Sequence, residues 1–170
     1  MSCWVRARAP PVGGKTRLGV TSRILTVRKR YQTGWHPVVV SAATPVVLIS
    51  TAQAGGAERA LAGLARRLPA LGFRPAAVLL EPGPLRRWLV EAGCREVIVA
   101  EAGAAAADVV RGLIRATGAR IVVSNKWQGH VRGGRAAHAE GLPAVWWQQD
   151  MAKRRPPELE AAAVPAAAIV

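Results

Sequence analysis

Val46-Val47-Leu48-Ile49-Ser50, followed by Thr51-Ala52-Gln53-Ala54-Gly55-Gly56-Ala57-Glu58-Arg59, is an apolar run that stops at a glycine pair and resumes as an amphipathic helix. A continuous apolar run of this length reads as a strand buried on both faces. Downstream, Ala57, Leu61, Leu64, Leu68 and Leu71 repeat at three- and four-residue spacing and so share one helix face. A strand–glycine–helix junction leaves backbone N–H groups free at a helix N-terminus, where they and the helix dipole suit an anion. Gly55 and Gly56 permit close approach of a ligand or a second domain.

The same alternation continues to the end of the chain. The helix from Gly56 is expected to reach about Leu71, with Pro69 breaking it a turn early and Gly72 as its stop. Strands are expected at Ala76–Leu80, Glu96–Val99, Arg120–Val123 and Pro143–Trp147, and a terminal one at Ala166–Val170. Between them lie a helix opened by Pro84 and carrying Leu85, Trp88 and Leu89, a helix over 105–117 and one around His130–Glu140. Gly93, Gly118 and Gly141 close these three. Ser124–Gly129 reads as a polar loop, Lys153–Pro157 as another, and a short helix precedes the last strand. Repeated strand–helix alternation with short connections specifies a parallel sheet with helices on both faces, an α/β Rossmann-like fold. Ligands of such sheets bind beyond the carboxyl ends of the strands. Three polar clusters fall there: Thr51–Gly56, Ser124–His130 and Gln148–Asp150.

Residues 1–44 differ in kind. They hold eight of the 24 Lys and Arg residues and no acid, with Pro10-Pro11 and Gly13-Gly14 and no sustained period. They read as a disordered basic leader or linker, and 45–170 as the folded domain. A basic tail attracts nucleic acid or an anionic membrane, so a second reading is a non-enzymatic basic module acting through residues 1–44. No nucleic-acid-binding motif accompanies the charge.

Several classes are disfavoured. Gly13-Gly14-Lys15-Thr16 resembles part of a nucleotide P-loop, but Ala9 stands where the pattern needs glycine and no strand precedes it. The turn at Gly55 lacks the Gly-x-Gly-x-x-Gly dinucleotide pattern, and only Glu81 stands near the end of the second strand. No nucleophile-elbow serine with His and Asp partners is present. Cys3 and Cys94 lie far apart without metal-ligand spacing, against a disulfide framework or zinc and in favour of a reducing compartment. No stretch has the length of a membrane span. Ala52-Gln53-Ala54 mimics a signal-peptidase site, but cleavage there would remove the first strand.

Leu48–Arg59, with its Gly-Gly-Ala-Glu-Arg turn, resembles the opening of nucleotide-sugar-dependent glycosyltransferases of the family 4 type. Glu81-Pro82-Gly83-Pro84-Leu85 resembles their second strand exit. Asn125, Gln128, His130, Gly133 and Gly134 resemble their Asn/Lys/His/Gly-Gly segment, and Gly141–Asp150 their Gly-Val-Pro-Val-Val-Trp segment ending in His-Asp. The resemblance covers about residues 45–170. It implies one half of a two-domain GT-B arrangement: the N-terminal, acceptor-side domain of a retaining glycosyltransferase, a fragment without the donor-binding half and its paired glutamates, and inactive alone. It implies a nucleotide-diphosphate sugar as donor substrate, no permanently bound cofactor and no metal. Its partners would be a sugar or lipid-linked acceptor and the missing C-terminal domain, with weak anionic membrane contact and no nucleic acid. The location would be cytoplasmic, or peripheral at the inner face of the membrane.

The catalytic candidates are His130 and Asp150, and the substrate-binding candidates Gly55, Gly56, Glu58, Asn125, Trp127 and Gln149. Glu58 in a first helical turn also stabilises the dipole. His130, expected to begin a helix at the rim, should have its pKa drawn downward. Gln149 stands where the family often has His, and an amide orients a hydroxyl but does not titrate. Trp127 could stack on a sugar or form an apolar lid. Trp146 and Trp147 point to opposite faces of their strand, so at most one lines a cleft. His36 and His138 read as surface residues.

Overall fold

A computed structural model describes residues 26–31, 34–39, 43–100, 103, 105–149 and 155–170. In chain order the elements are β1 (Thr26–Tyr31), β2 (Gly34–Val39), β3 (Thr44–Ser50), α1 (Gly56–Arg67), a 3-10 turn (Pro69–Leu71), β4 (Phe73–Leu79), α2 (Leu85–Glu91), β5 (Val97–Val99), α3 (Ala105–Thr117), β6 (Ile121–Asn125), α4 (Lys126–Ala139), β7 (Ala144–Trp147), α5 (Pro156–Ala162) and β8 (Ala168–Ile169). β3 to β8 form a six-stranded sheet in the order β5-β4-β3-β6-β7-β8, and every pairing in it is parallel. This is the Rossmann-like α/β sheet expected from the alternation. The jump from β5 back across β4 and β3 to β6 puts the switch point between β3 and β6, where ligand crevices of this fold class open.

Alternation along β3 builds both layers of the core. Val46 and Leu48 pack with Leu61, Leu79, Leu85 and Leu89 beneath α1 and α2. Val47 and Ile49 pack with Val78, Val110, Leu113, Val122 and Ala137 beneath α3 and α4. Gly72, Gly93, Gly118 and Gly141 end their helices or turns at positive φ (82°, 92°, 64° and 68°), where a side chain would be strained. Pro69 ends α1 at Arg67 and starts the 3-10 turn.

The main departures from the sequence reading are at β3, β4 and the start of α4. β3 starts at Thr44, because its amide is held by the Gly72 carbonyl at 2.8 Å. β4 starts at Phe73, since parallel pairing with β3 carries the strand across Pro75. The largest correction concerns Ser124–Gly129, expected as a loop. Ser124 and Asn125 continue β6, and α4 begins at Lys126. Parallel pairing with β3 and β7 carries the strand to Asn125, and the chain then turns at one residue: Lys126 takes φ 58°, a rare conformation for a residue with a side chain.

Within residues 1–44, β1 and β2 pair antiparallel in a separate two-stranded sheet, where the sequence shows no period. The remaining residues of the expected leader, other than Ala43 and Thr44, lie outside the described residues, so most of the basic segment on which a nucleic-acid or lipid module would rest lies there too. No helix among the described residues is long and apolar enough to cross a membrane.

Candidate functional site

The carboxyl ends of β3 and β6 meet the first turn of α1 at the switch point. Gly55 is the N-cap of α1 and has no side chain to cap it, so within the first turn the amide of Glu58 is taken by its own carboxylate while the N-cap residue supplies no acceptor. Gly55 is half-buried and Gly56 exposed. The two glycines have different reasons. A Cβ at Gly55 would stand 2.5 Å from Glu58 Oε2, a steric clash, so a side chain there would displace the carboxylate beneath the turn. A Cβ at Gly56 would meet nothing within 4 Å.

Glu58 is fully buried under this turn. Its Oε1 accepts from Thr51 Oγ1 and from Lys126 Nζ, each at 2.7 Å. Burial raises its pKa, but the hydrogen bonds from Lys126 and Thr51, its own backbone amide and the Lys126 charge outweigh that, and the carboxyl titrates below its ordinary value. Oε2 is buried without a partner. Lys126, whose side chain is 14% exposed, is the residue that the sequence analysis passed over. Its position between Asn125 and Trp127 in a predicted rim cluster was the available signal. Its unusual φ aims the side chain from the β6–α4 junction across to α1, and the 2.7 Å ion pair locks the two rim junctions together.

Asn125 is also fully buried and performs a related task. Its Nδ2 donates to Ser50 Oγ at 3.0 Å and to the Ala57 carbonyl at 3.4 Å, while Oδ1 is left without a partner. A carbonyl can only accept, so the amide orientation is set by Ala57. On the other side of the turn, Glu81 Oε1 accepts from the Ala52 amide at 3.3 Å. Gly55, Gly56, Glu58 and Asn125 are therefore brought together, with Thr51, Ser50 and Lys126 added.

The other expected site residues separate from this group. His130 is not at a rim. It is the fifth residue of α4 and fully buried, stacked on Trp146 with ring centroids 4.9 Å apart. Its Nε2–H donates to the Val164 carbonyl at 3.3 Å and Nδ1 has no partner. The early start of α4 is the cause, since it carries residue 130 a full turn into the helix. Its pKa is lowered, by burial, against a smaller opposing effect of the Val164 bond. The neutral imidazole is therefore the folded form, and stability is complete above the ordinary histidine value near 6.5 and declines as pH falls below it. His130→Asn is expected to flatten that acid limb, read as Tm between pH 5 and pH 8. An unchanged slope would remove His130 as its source.

Trp127 is half-buried against the Val131, Trp146 and Ala161 cluster. Trp147 lies on the opposite face of the sheet, with Ile121, Val123, Val145 and Leu64 around an apolar cavity of about 360 Å³. Gln149 is half-buried with Nε2 unpartnered. Asp150 lies outside the described residues. Cys94 is buried, and burial pushes its thiol up to about 12, so it is no nucleophile. Among the described residues, no group of three His, Cys, Asp or Glu side chains could hold a metal ion.

No family model and no curated protein sequence matches the chain. Solved structures do. MurG from Acinetobacter baumannii matches 74% of this chain and 40% of its own, with a TM-score of 0.57 and 14% identity. HepE from Anabaena, solved in complex with UDP, matches 74% of this chain and 36% of its own, with a TM-score of 0.59 and 16% identity. At those identities the likeness establishes the Rossmann-like α/β fold. The chain spans well under half the length of either protein.

Proposed function

We propose that residues 45–170 are the acceptor-side half of a retaining, nucleotide-sugar-dependent glycosyltransferase of the family 4 type, working against a donor-binding half across a cleft. The observation that carries this is Gly56. A glycine at the start of a helix costs stability relative to alanine. Neither backbone conformation nor crowding requires it here, since its φ is not positive and its Cβ position is open. Gly63 is equally open, so what sets Gly56 apart is its place at the carboxyl end of β3 beside the switch point, where a group can approach from outside. Among the solved structures of the same fold are the glycosyltransferases MurG and HepE, and HepE was solved in complex with UDP.

In this reading the outward amides of the Gly55–Gly56 turn meet the diphosphate of the donor. As the bond from the sugar to the diphosphate breaks, charge grows on the leaving oxygen, and fixed N–H dipoles stabilise it without reorganising. The buried Thr51–Glu58–Lys126 cluster is electrically balanced, so it holds the turn in place without repelling the phosphate. Trp127, Gln149 and Asp150 serve the acceptor side, and the buried Asn125 positions the turn through Ser50 and Ala57. His130 has no part in proton transfer, because it is sealed beneath Val164. The acceptor would be a sugar or lipid-linked sugar, at the inner face of the membrane.

UDP, ADP and GDP titrated into the 170-residue chain should give weak, saturable binding of one of them. Gly56→Leu should weaken it at least tenfold without lowering Tm. Nucleotide binding that is indifferent to Gly56→Leu would overturn the assignment. The chain alone should show negligible sugar transfer, and measurable turnover would refute the division of labour between two halves.

A further inference from the structure

A second cavity lies away from the glycine turn, between the first turn of α3 and the outer faces of α4 and α5. It encloses about 510 Å³, the size of a small-molecule site. Its wall includes Gly103 and Ala107 on the α3 side, Trp127, Arg132 and Arg135 on α4, and Glu160 on α5. Trp127 packs against Val131, Trp146 and Ala161, of which Val131 lines the cavity beside it, and this packing orients the indole before any ligand arrives. A rigid, half-exposed aromatic face is the surface on which a sugar ring packs its C–H edge.

The charge on this wall is unequal. Arg135 Nη2 donates to Glu160 Oε1 at 2.8 Å, so those two cancel. Arg132 donates to the Gln128 backbone carbonyl at 3.4 Å, a neutral acceptor. Among the described residues Arg132 has no ion pair. A guanidinium with no ion-pair partner among the described residues therefore stands on the same helix as the indole, five residues on, and lines the same cavity. Guanidinium groups bind carboxylate and phosphate in forked geometry. The start of α3, whose dipole is positive, lines the opposite wall.

We propose that this groove binds an anionic sugar, with the ring on Trp127 and its carboxylate or phosphate on Arg132. The inference rests on the transferase reading to the extent that it makes the acceptor acidic. The binding itself does not depend on the glycine turn, so the two ideas fail separately.

The test is a calorimetric titration of the full chain with glucuronate, glucose 1-phosphate, glucose and inorganic phosphate. At least one of the two anionic sugars should bind at least fivefold more tightly than glucose and than phosphate alone. The better of the two identifies a uronate or a sugar phosphate as the source. Arg132→Gln should abolish that advantage, and Trp127→Leu should weaken the anionic sugar at least fivefold. Gly56→Leu should leave it unchanged, which separates this groove from the nucleotide site. Should Trp127→Leu fail to fold, Arg132→Gln still decides, since Arg132 lies at the surface of α4. Phosphate binding as tightly as the sugar ligands would mean an adventitious ion only and would overturn the proposal. So would glucose matching both anionic sugars, or Arg132→Gln leaving their binding intact.

Discussion

Glu58→Ala is expected to destabilise the chain by about 3 kcal/mol, the lower end of what breaking a buried ion pair costs. The carboxylate is fully buried, and its removal leaves the Lys126 ammonium in a largely closed position with no counter-charge. Thr51 Oγ1 loses its acceptor as well. Glu58→Gln should cost less, because an amide oxygen still accepts from Thr51 while the charge of Lys126 stays uncompensated. Lys126→Met alone should also destabilise, by stranding the carboxylate. The double variant Glu58→Ala/Lys126→Met should be more stable than the sum of its parts, because both charges are removed together and neither is left isolated. Urea denaturation of the four variants measures this cycle. Strict additivity would mean that the 2.7 Å pair carries no coupling. The pH dependence has a definite sign. The folded-state pKa of Glu58 is depressed, so its contribution is present above the unfolded carboxylate value and is lost as pH falls through the folded one. The Glu58→Gln variant should lack that acid limb.

Gly133→Leu is expected to cost about 3 kcal/mol, at the upper end for overpacking. A Cβ at Gly133 would stand 2.7 Å from both Ile49 Cγ1 and Ser124 Oγ, neither of which can withdraw from the centre of the sheet. A Cβ at Gly129 would likewise press on the Ile49 carbonyl, at 2.9 Å. The helix would have to lift from β3 and β6, taking Lys126 and Asn125 with it, so UDP binding should fall along with Tm. Gly63→Ala is the matched control. Gly63 lies in the middle of α1 with nothing within 4 Å of its Cβ position. Alanine there should raise stability by about 0.5–1 kcal/mol through helix propensity alone. Equal Tm values for Gly133→Leu and the parent would show that α4 does not pack as closely as described.

The glycines make clear how far a sequence can be read. Gly55 and Gly56 look alike as neighbouring letters, and both read as room for a ligand. The structure divides them: one makes space for the Glu58 carboxylate, the other faces solvent with no internal demand. Gly133 and Gly134 were legible as part of a segment resembling known transferases, but their task here is contact. The first touches the β3 core, and a side chain on the second would strike His130 and Val164. His130 illustrates the opposite error, a polar residue in a polar cluster that folds into the interior once α4 starts four residues before it.

Local pattern was enough for the strand–helix order, the parallel sheet, the glycine stops and the placement of the glycine turn at a strand's carboxyl end. Periodicity and turn chemistry are properties of neighbouring residues, and each element buries its own stripe wherever it docks. The pairing of Glu58 with Lys126, 68 residues apart, was a matter for tertiary structure alone. It exists because the sheet places β6 next to β3, out of chain order, and because one residue turns with an unusual φ. Which polar groups are buried, and against what, depends on that long-range register, and no local run of residues encodes it.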